Sequence, residues 1–328
     1  IFRAVLGQNN VDVARSLHSV ARALVKLGEN RVALHKFTEA SQIYDSCDAN
    51  MHHDSIANGL NLATLLVDLG EWDRANSQYE DVIQRKKRVY GEGSVAVAKT
   101  INSYAIVLAK HSRMDEALMN YIAAKETYES VPKSLLQDPE FDVKCKYDVT
   151  LINLNIASIR SKKGDIRGAI KSYEDGVRGL REYAKVQASL QAKPGVEEAP
   201  KNNSHVKHLV AALGRIGSLK LKLGDSEGAL QAYEALLEEV TTESPQVSRV
   251  EKAKAYIKCA TIFRQVDGRA AHERSISHLR NALVMYTELF GPEHKDTLAI
   301  AASLKQWEAE EPDDLQGSSS SIPSKYND

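Results

Sequence analysis

Ala21-Arg22-Ala23-Leu24-Val25-Lys26-Leu27-Gly28-Glu29-Asn30-Arg31-Val32-Ala33-Leu34-His35-Lys36-Phe37-Thr38-Glu39-Ala40 is the stretch that decides the fold. Working outward from it, Leu17, Val20, Leu24 and Leu27 recur at helical spacing and give the segment before Gly28 an apolar face. Gly28 supplies the left-handed conformation that commonly ends a helix. Ala21, seven residues before the glycine, and Ala33, five after it, are small enough for two antiparallel helices to approach closely. Phe37 fills the wedge behind them, and Ala40 continues the second helix. A lone helix pair cannot bury both of its apolar faces, so stacking of further copies is implied.

Further copies follow in the same order of residue types. They read Ala63, Gly70, Ala75, Tyr79; then Ala105, Ser112, Ala117, Tyr121, Ala124; then Ala157, Gly164, Ala169, Tyr173. A fifth has Gly217, Gly224, Ala229 and Tyr233, and a sixth Ala260, Asp267-Gly268, Ser275, Leu279 and Ala282. The turn positions 28, 70 and 112 are 42 residues apart, and the later intervals are 52, 60 and 43. The longer two contain loop signals: Pro132 and Pro139 in one, and the polar run Gln191–Ser204 with Pro194, Gly195 and Pro200 in the other.

The pattern resembles the tetratricopeptide repeat (TPR), and the 42-residue interval resembles the longer-helix form found in kinesin light chains. Three linkers carry that likeness: Leu6-Gly7-Gln8-Asn9-Asn10-Val11, Tyr90-Gly91-Glu92-Gly93-Ser94-Val95 and Phe290-Gly291-Pro292-Glu293-His294-Lys295. The kinesin heptad segment has no counterpart here. The first-helix signature survives in part as Ile101-Asn102-Ser103-Tyr104-Ala105 and Leu154-Asn155-Ile156-Ala157. The resemblance implies an all-α, right-handed α-solenoid of about six TPR-like helical hairpins. Residues 1–10 read as the end of a preceding repeat and its linker, with a further repeat upstream. Repeats are expected at about 11–52, 53–94, 95–142, 143–190, 206–248 and 250–290, with a capping helix over 296–307. Loop insertions fall at 130–142 and 191–205, and an acidic, Ser-rich, disordered tail at 308–328.

Composition bounds the function. Lys+Arg 43 against Asp+Glu 44 gives a net charge of -1, so bulk charge does not direct the chain to nucleic acid. Cys47, Cys145 and Cys259 are too few and too far apart for a disulfide framework or a zinc site, which points to a reducing, cytoplasmic setting. No apolar run approaches the ~18 residues that span a bilayer.

No reactive centre emerges from the motifs. Gly91-Glu92-Gly93 has Ala96 where a dinucleotide fingerprint needs glycine, and no Walker sequence is present. His272-Glu273 is followed by His278 six residues on, which puts the two imidazoles on different helix faces. His52-His53 reads as a solvated pair and Cys259 as a packing residue. The reading is therefore a non-enzymatic adaptor with no cofactor, no metal and no small-molecule substrate. The alternative is the regulatory or targeting region of a larger enzyme.

The family's first helices line a concave groove that takes an extended peptide or a helix. Two residues before each turn stand Lys26, Asp68, Lys110, Lys162, Lys222 and Gln265. A cation in a last helical turn also complements the helix dipole. Eleven residues earlier come Arg15, Ala57, Lys99, Leu151, Ala211 and Lys254, whose three cations the dipole does not explain, and Arg22 lies between Arg15 and Lys26. Arg15, Arg22, Lys26, Lys99, Asn102, Lys110, Lys162 and Lys222 are accordingly the candidate peptide-binding residues, with Asn102 bonding peptide backbone and the cations selecting an acidic linear peptide. A co-chaperone clamp matches incompletely, since its first-helix positions hold His18 and Arg22 and Ser103 stands where Arg is expected. Nucleic acid ranks below peptide because the same face lacks interleaved aromatics. Trp307 is expected to pack on the cap. The acids that follow it suggest a tail able to fold back onto the basic groove.

Overall fold

The computed structural model describes residues 10–191, 204–240, 246–265 and 269–310. Expectations for Ile1–Leu6, for most of the 191–205 insertion, for the Asp267-Gly268 turn and for residues 311–328 lie outside them. Thirteen α-helices and one short 3-10 helix, with no strand, make up the described residues. The fold is an all-α helical-repeat solenoid.

The chain divides into two compact units, Ile1–Ile159 and Arg160–Asp328. The first contains α1 (Val11–Lys26), α2 (Asn30–Ser46), α3 (His53–Asp68), α4 (Trp72–Tyr90), α5 (Val95–Lys110), α6 (Met114–Glu129) and most of α7 (Pro139–Lys162). In the second are α8 (Ile166–Gln191), α9 (Ser204–Lys222), α10 (Ser226–Glu239), α11 (Gln246–Arg264), α12 (Arg269–Phe290) and α13 (Lys295–Ala309).

In unit 1 each helix packs on its successor from α1 through α6, and α1 touches α3 while α3 touches α5. In unit 2 the same order holds from α8 through α13, with α9 also touching α11. These are the neighbours that stacked hairpins produce. The small residues are the reason the helices fit: Ala21, Ala33, Ala63, Ala75, Ala105, Ala117, Ala229 and Ala260 expose nothing. The aromatics of the repeat, Phe37, Tyr79, Tyr121, Tyr173 and Tyr233, are all buried, as are Tyr44, Tyr128 and Tyr286 on the second helices. Burying one such side chain is worth about 1.5–3 kcal/mol before conformational entropy is counted.

Five turns share one construction. At Gly28 the amide of Glu29 donates to Leu24 O (2.9 Å) and that of Gly28 to Val25 O (3.1 Å), the paired bonds of a Schellman cap. Glu71→Leu66, Arg113→Leu108, Asp165→Arg160 and Asp225→Lys220 repeat the longer bond. Gly28, Gly70, Gly164 and Gly224 have φ of 77–85°, and a Cβ on Gly28 or Gly70 would meet open space. Backbone conformation, not room, selects glycine there.

The loop expected over 130–142 is shorter than that. The 3-10 helix Leu135–Gln137 lies within it, and α7 begins at Pro139. Proline suits a first helical position, Asp138 Oδ1 accepts the amide of Glu140 (3.0 Å), and Glu140 and Asp142 sit in the first turn. The cap is likewise longer than expected, running over Lys295–Ala309. Trp307 packs against the core that Ala260, Leu279, Tyr286 and Leu304 form, with the Arg264 guanidinium 4.9 Å from its ring centre. Glu308 pairs with Arg280 (2.7 Å) and Glu310 with Arg264, so the acids directly after Trp307 hold the cap to unit 2.

Candidate functional site

Because α1, α3 and α5 touch in succession, the first helices of unit 1 form one layer. On α1 the residues Arg15, Ser19, Arg22 and Lys26 follow at intervals of four, three and four and are all exposed; Lys99, Ser103, Ile106 and Lys110 do the same on α5. The candidate cations of unit 1 thus share a side of their helices.

Arg15, Lys99 and Lys254, the candidate cations away from helix ends, have partners within the chain. Arg15 Nε lies 2.8 Å from Asp54 Oδ2 on α3, and its Nη1 lies 3.0 Å from Asp12 Oδ1. Burial alone would raise the Asp54 carboxyl, but the Arg15 bond and charge hold it below its ordinary value. Lys99 Nζ is 3.6 Å from Asp148 Oδ2, an oxygen that also accepts the Tyr128 hydroxyl at 2.8 Å. In unit 2, Lys254 Nζ is 3.1 Å from Glu251 Oε1. Arg15 and Lys99 each stand five residues into their helices, whereas Lys254, expected near a helix start, lies in the middle of α11; all three have an intramolecular partner.

Lys26, Lys110, Lys162 and Lys222 are the final residues of α1, α5, α7 and α9. All four are exposed and have no acidic partner among the described residues. Each complements a helix C-terminus. On α3 the equivalent residue is Asp68, which faces His111 at 3.5 Å. Arg22 is exposed one turn before Lys26, equally without an acidic partner among the described residues. Like charges at this spacing repel by about 0.2–0.5 kcal/mol.

Behind that pair lies a polar network that sequence reading did not find. His18 Nδ1 is 3.2 Å from Asn58 Oδ1, and Asn58, fully buried, donates to Phe37 O (3.0 Å) and Ser41 Oγ (2.8 Å). Asn61 Nδ2 stands 3.5 Å from His18 Nε2. Burial lowers the His18 pKa, with Arg22 adding to the effect and the Asn58 bond opposing it. Asn58 falls in a different register position from Asn102, so comparing repeats gave no signal for it. Asn102 is half-buried, and its Oδ1 is shielded from solvent without a hydrogen-bond partner among the described residues.

The turns of the second and third hairpins flank an open cleft of about 580 Å³ lined by Glu71, Trp72, Arg74, His111 and Arg113. Arg113 stacks over Trp72 (4.6 Å), and His111 meets the same ring edge-on (5.5 Å). Arg74 and Arg113 pair with Glu71 and Glu116, which leaves the cleft no net sign. Cys145 and Cys259 are buried, and burial raises both thiols, Cys259 to about 12, away from the reactive thiolate. Among the described residues no cluster of His, Cys, Asp and Glu could hold a metal, and no helix is long and apolar enough to cross a membrane.

The tetratricopeptide repeat family profile matches residues 60–96, from the middle of α3 into α5. No curated protein sequence matches the chain. Among solved structures, the apo form of RapI is similar over 90% of this chain and 71% of its own, at 12% identity and a TM-score of 0.52. The TPR-like repeats of a putative kinesin light chain from Podosopora anserina align over 75% of this chain and 97% of theirs, at 16% identity and a TM-score of 0.46. Pseudomonas aeruginosa pilF aligns over 89% and 99%, at 14% identity and a TM-score of 0.44.

Proposed function

We propose that this chain, a tetratricopeptide-repeat protein, is a protein–protein interaction scaffold without catalytic activity of its own, and that the exposed face of α1 and α5 takes acidic linear peptide segments. The observation that carries the reading is the Arg22–Lys26 pair. Two cations one turn apart, exposed and lacking a carboxylate among the described residues, repel each other within the folded chain. The repulsion becomes attraction when an acidic segment lies across them. Lys110 offers a third charge on the same layer. Arg15 and Lys99 already share carboxylates with Asp54 and Asp148 and contribute less. The Gly91 and Gly291 linkers support the kinesin-light-chain type of array, and the three free thiols support a reducing, cytoplasmic location.

Titration with a fluorescently labelled Glu-rich peptide, followed by anisotropy, tests this. Affinity should fall steeply between low salt and about 0.5 M, because exposed charges are screened over ~10 Å at 0.1 M. It should also fall in the R22Q/K26Q variant. Salt-indifferent binding, or an unaffected variant, rejects the acidic-peptide reading.

A further inference from the structure

His18 lies on α1 one turn before Arg22, and the network beneath it fixes which of its nitrogens carries a proton. Asn58 decides this. Its Nδ2 donates to Phe37 O (3.0 Å), a carbonyl that can only accept, and to Ser41 Oγ (2.8 Å). Its Oδ1 is therefore the atom turned to His18 Nδ1, at 3.2 Å. Asn58 is fully buried, and a buried oxygen calls for a donor. His18 Nδ1 thus carries the hydrogen, and the neutral ring keeps a lone pair at Nε2. Asn61 Nδ2, 3.5 Å away, is too distant for a strong bond to it.

A second proton can enter His18 only at Nε2. In the free chain half-burial disfavours that charge and Arg22 adds to the effect, while the Asn58 bond and Asp54 on α3 oppose it. From α2 come the Phe37 ring, edge-on at 5.7 Å, and Ser41, neither of them charged. Arg15, on the turn before His18, is held against Asp12 and Asp54. At the register position of His18 the later first helices carry Leu60, Asn102, Leu154, Gly214 and Ile257, so a titrating side chain stands there in the first hairpin alone.

We propose that His18 is a proton-linked member of the peptide site: a carboxylate of an acidic segment lying across Arg22 and Lys26 accepts from Nε2–H, and the chain takes up one proton as it binds. This rests on the acidic-peptide reading of that face. The carboxylate supplies the anion that a protonated Nε2 lacks in the free chain and offsets the repulsion from Arg22. The Nδ1–H bond to Asn58 is the same in both states. Because the peptide favours the protonated ring, affinity rises as pH falls.

Anisotropy titration with the labelled Glu-rich peptide at pH 7.5 and pH 5.5, at one low salt concentration, tests the linkage, since glutamates stay mostly ionised over this range. Affinity of the parent chain should rise about two- to fivefold at pH 5.5, the size of one exposed charge contact. H18Q should match the parent at pH 7.5 and lack the rise. Calorimetry at pH 6.0 in two buffers of different ionisation enthalpy should show proton uptake on binding by the parent chain, a readout that needs no variant. An affinity that is salt-sensitive but flat with pH, a rise that H18Q keeps, or zero proton uptake overturns the proposal and leaves the acidic-peptide reading standing. Absence of binding at both pH values overturns the two together.

Discussion

Ser112 adopts, at φ 65°, the left-handed conformation that Gly70 adopts at φ 78° one hairpin earlier. Its amide donates to Ala109 O (3.2 Å) as that of Gly70 donates to Val67 O (2.9 Å). The third turn thus keeps the cap and accepts the strain of a Cβ at positive φ, which is about 1–3 kcal/mol at such sites.

S112G should therefore stabilise unit 1 by about 1 kcal/mol. G70S should cost a similar amount, because the site has room for the side chain and only the backbone objects. Urea denaturation followed by far-UV circular dichroism reads both. A destabilised S112G would show that the serine side chain makes a compensating contact.

Ser112 also shows how far the sequence was legible. Its place in the register, seven residues after Ala105 and five before Ala117, identified it as a turn although it is not glycine. The helix-ending lysines, the buried alanines and the aromatic wedge were readable for the same reason: each recurs. What does not recur stayed hidden. The Arg15–Asp54 and Lys99–Asp148 pairs join residues 39 and 49 positions apart, and only the stacked helices bring them together. Asp12 and Glu251, three residues before Arg15 and Lys254, stand at a spacing that pairs on any helix, and that signal was available. Pro139 read as a loop residue because a proline at a first helical position and one in a loop look alike until the following turn is seen.

The fifth hairpin tests the close approach of helices. Gly217 takes the place of Ala63, and a Cβ on it would fall 2.7–2.9 Å from the Tyr233 ring. The ring is held by its hydroxyl, 3.1 Å from Ser218 Oγ, as Tyr79 is held by Thr64. G217A should destabilise unit 2 by about 1–3 kcal/mol, the usual cost of overpacking. Adding Y233L, which copies Leu279 of the next hairpin, should recover part of that loss. If G217A alone is neutral, the ring is free to move.

Three histidines set a pH dependence. Burial lowers His18, His208 and His278 below the ordinary 6.5. Between the folded values and 6.5 the unfolded chain binds more protons than the folded one, so stability rises with pH there. It is fully present above about pH 6.5 and is lost as pH falls toward the folded values. Denaturation at pH 7.5 and pH 5.5 should show the drop, and H18Q should reduce it for unit 1. A flat profile would mean that these imidazoles protonate freely in the folded protein.

The division of cations predicts unequal effects on peptide binding. Removing a charge that already shares carboxylates frees them, so R15Q leaves Asp12 and Asp54 without the guanidinium and lowers affinity for an acidic peptide through repulsion as much as through lost attraction. R15Q/D12N/D54N removes the guanidinium and both of its carboxylates together and should bind nearly as well as the parent chain. R22Q/K26Q has no such compensation and should lose about tenfold, as two exposed attractions of about 0.5–1 kcal/mol each would give. Anisotropy titrations at one low salt concentration separate the cases. Equal losses in R15Q/D12N/D54N and R22Q/K26Q would mean that the ion pairs open to receive the peptide, and that Asp12 and Asp54 keep Arg15 in place for the partner instead of occupying it.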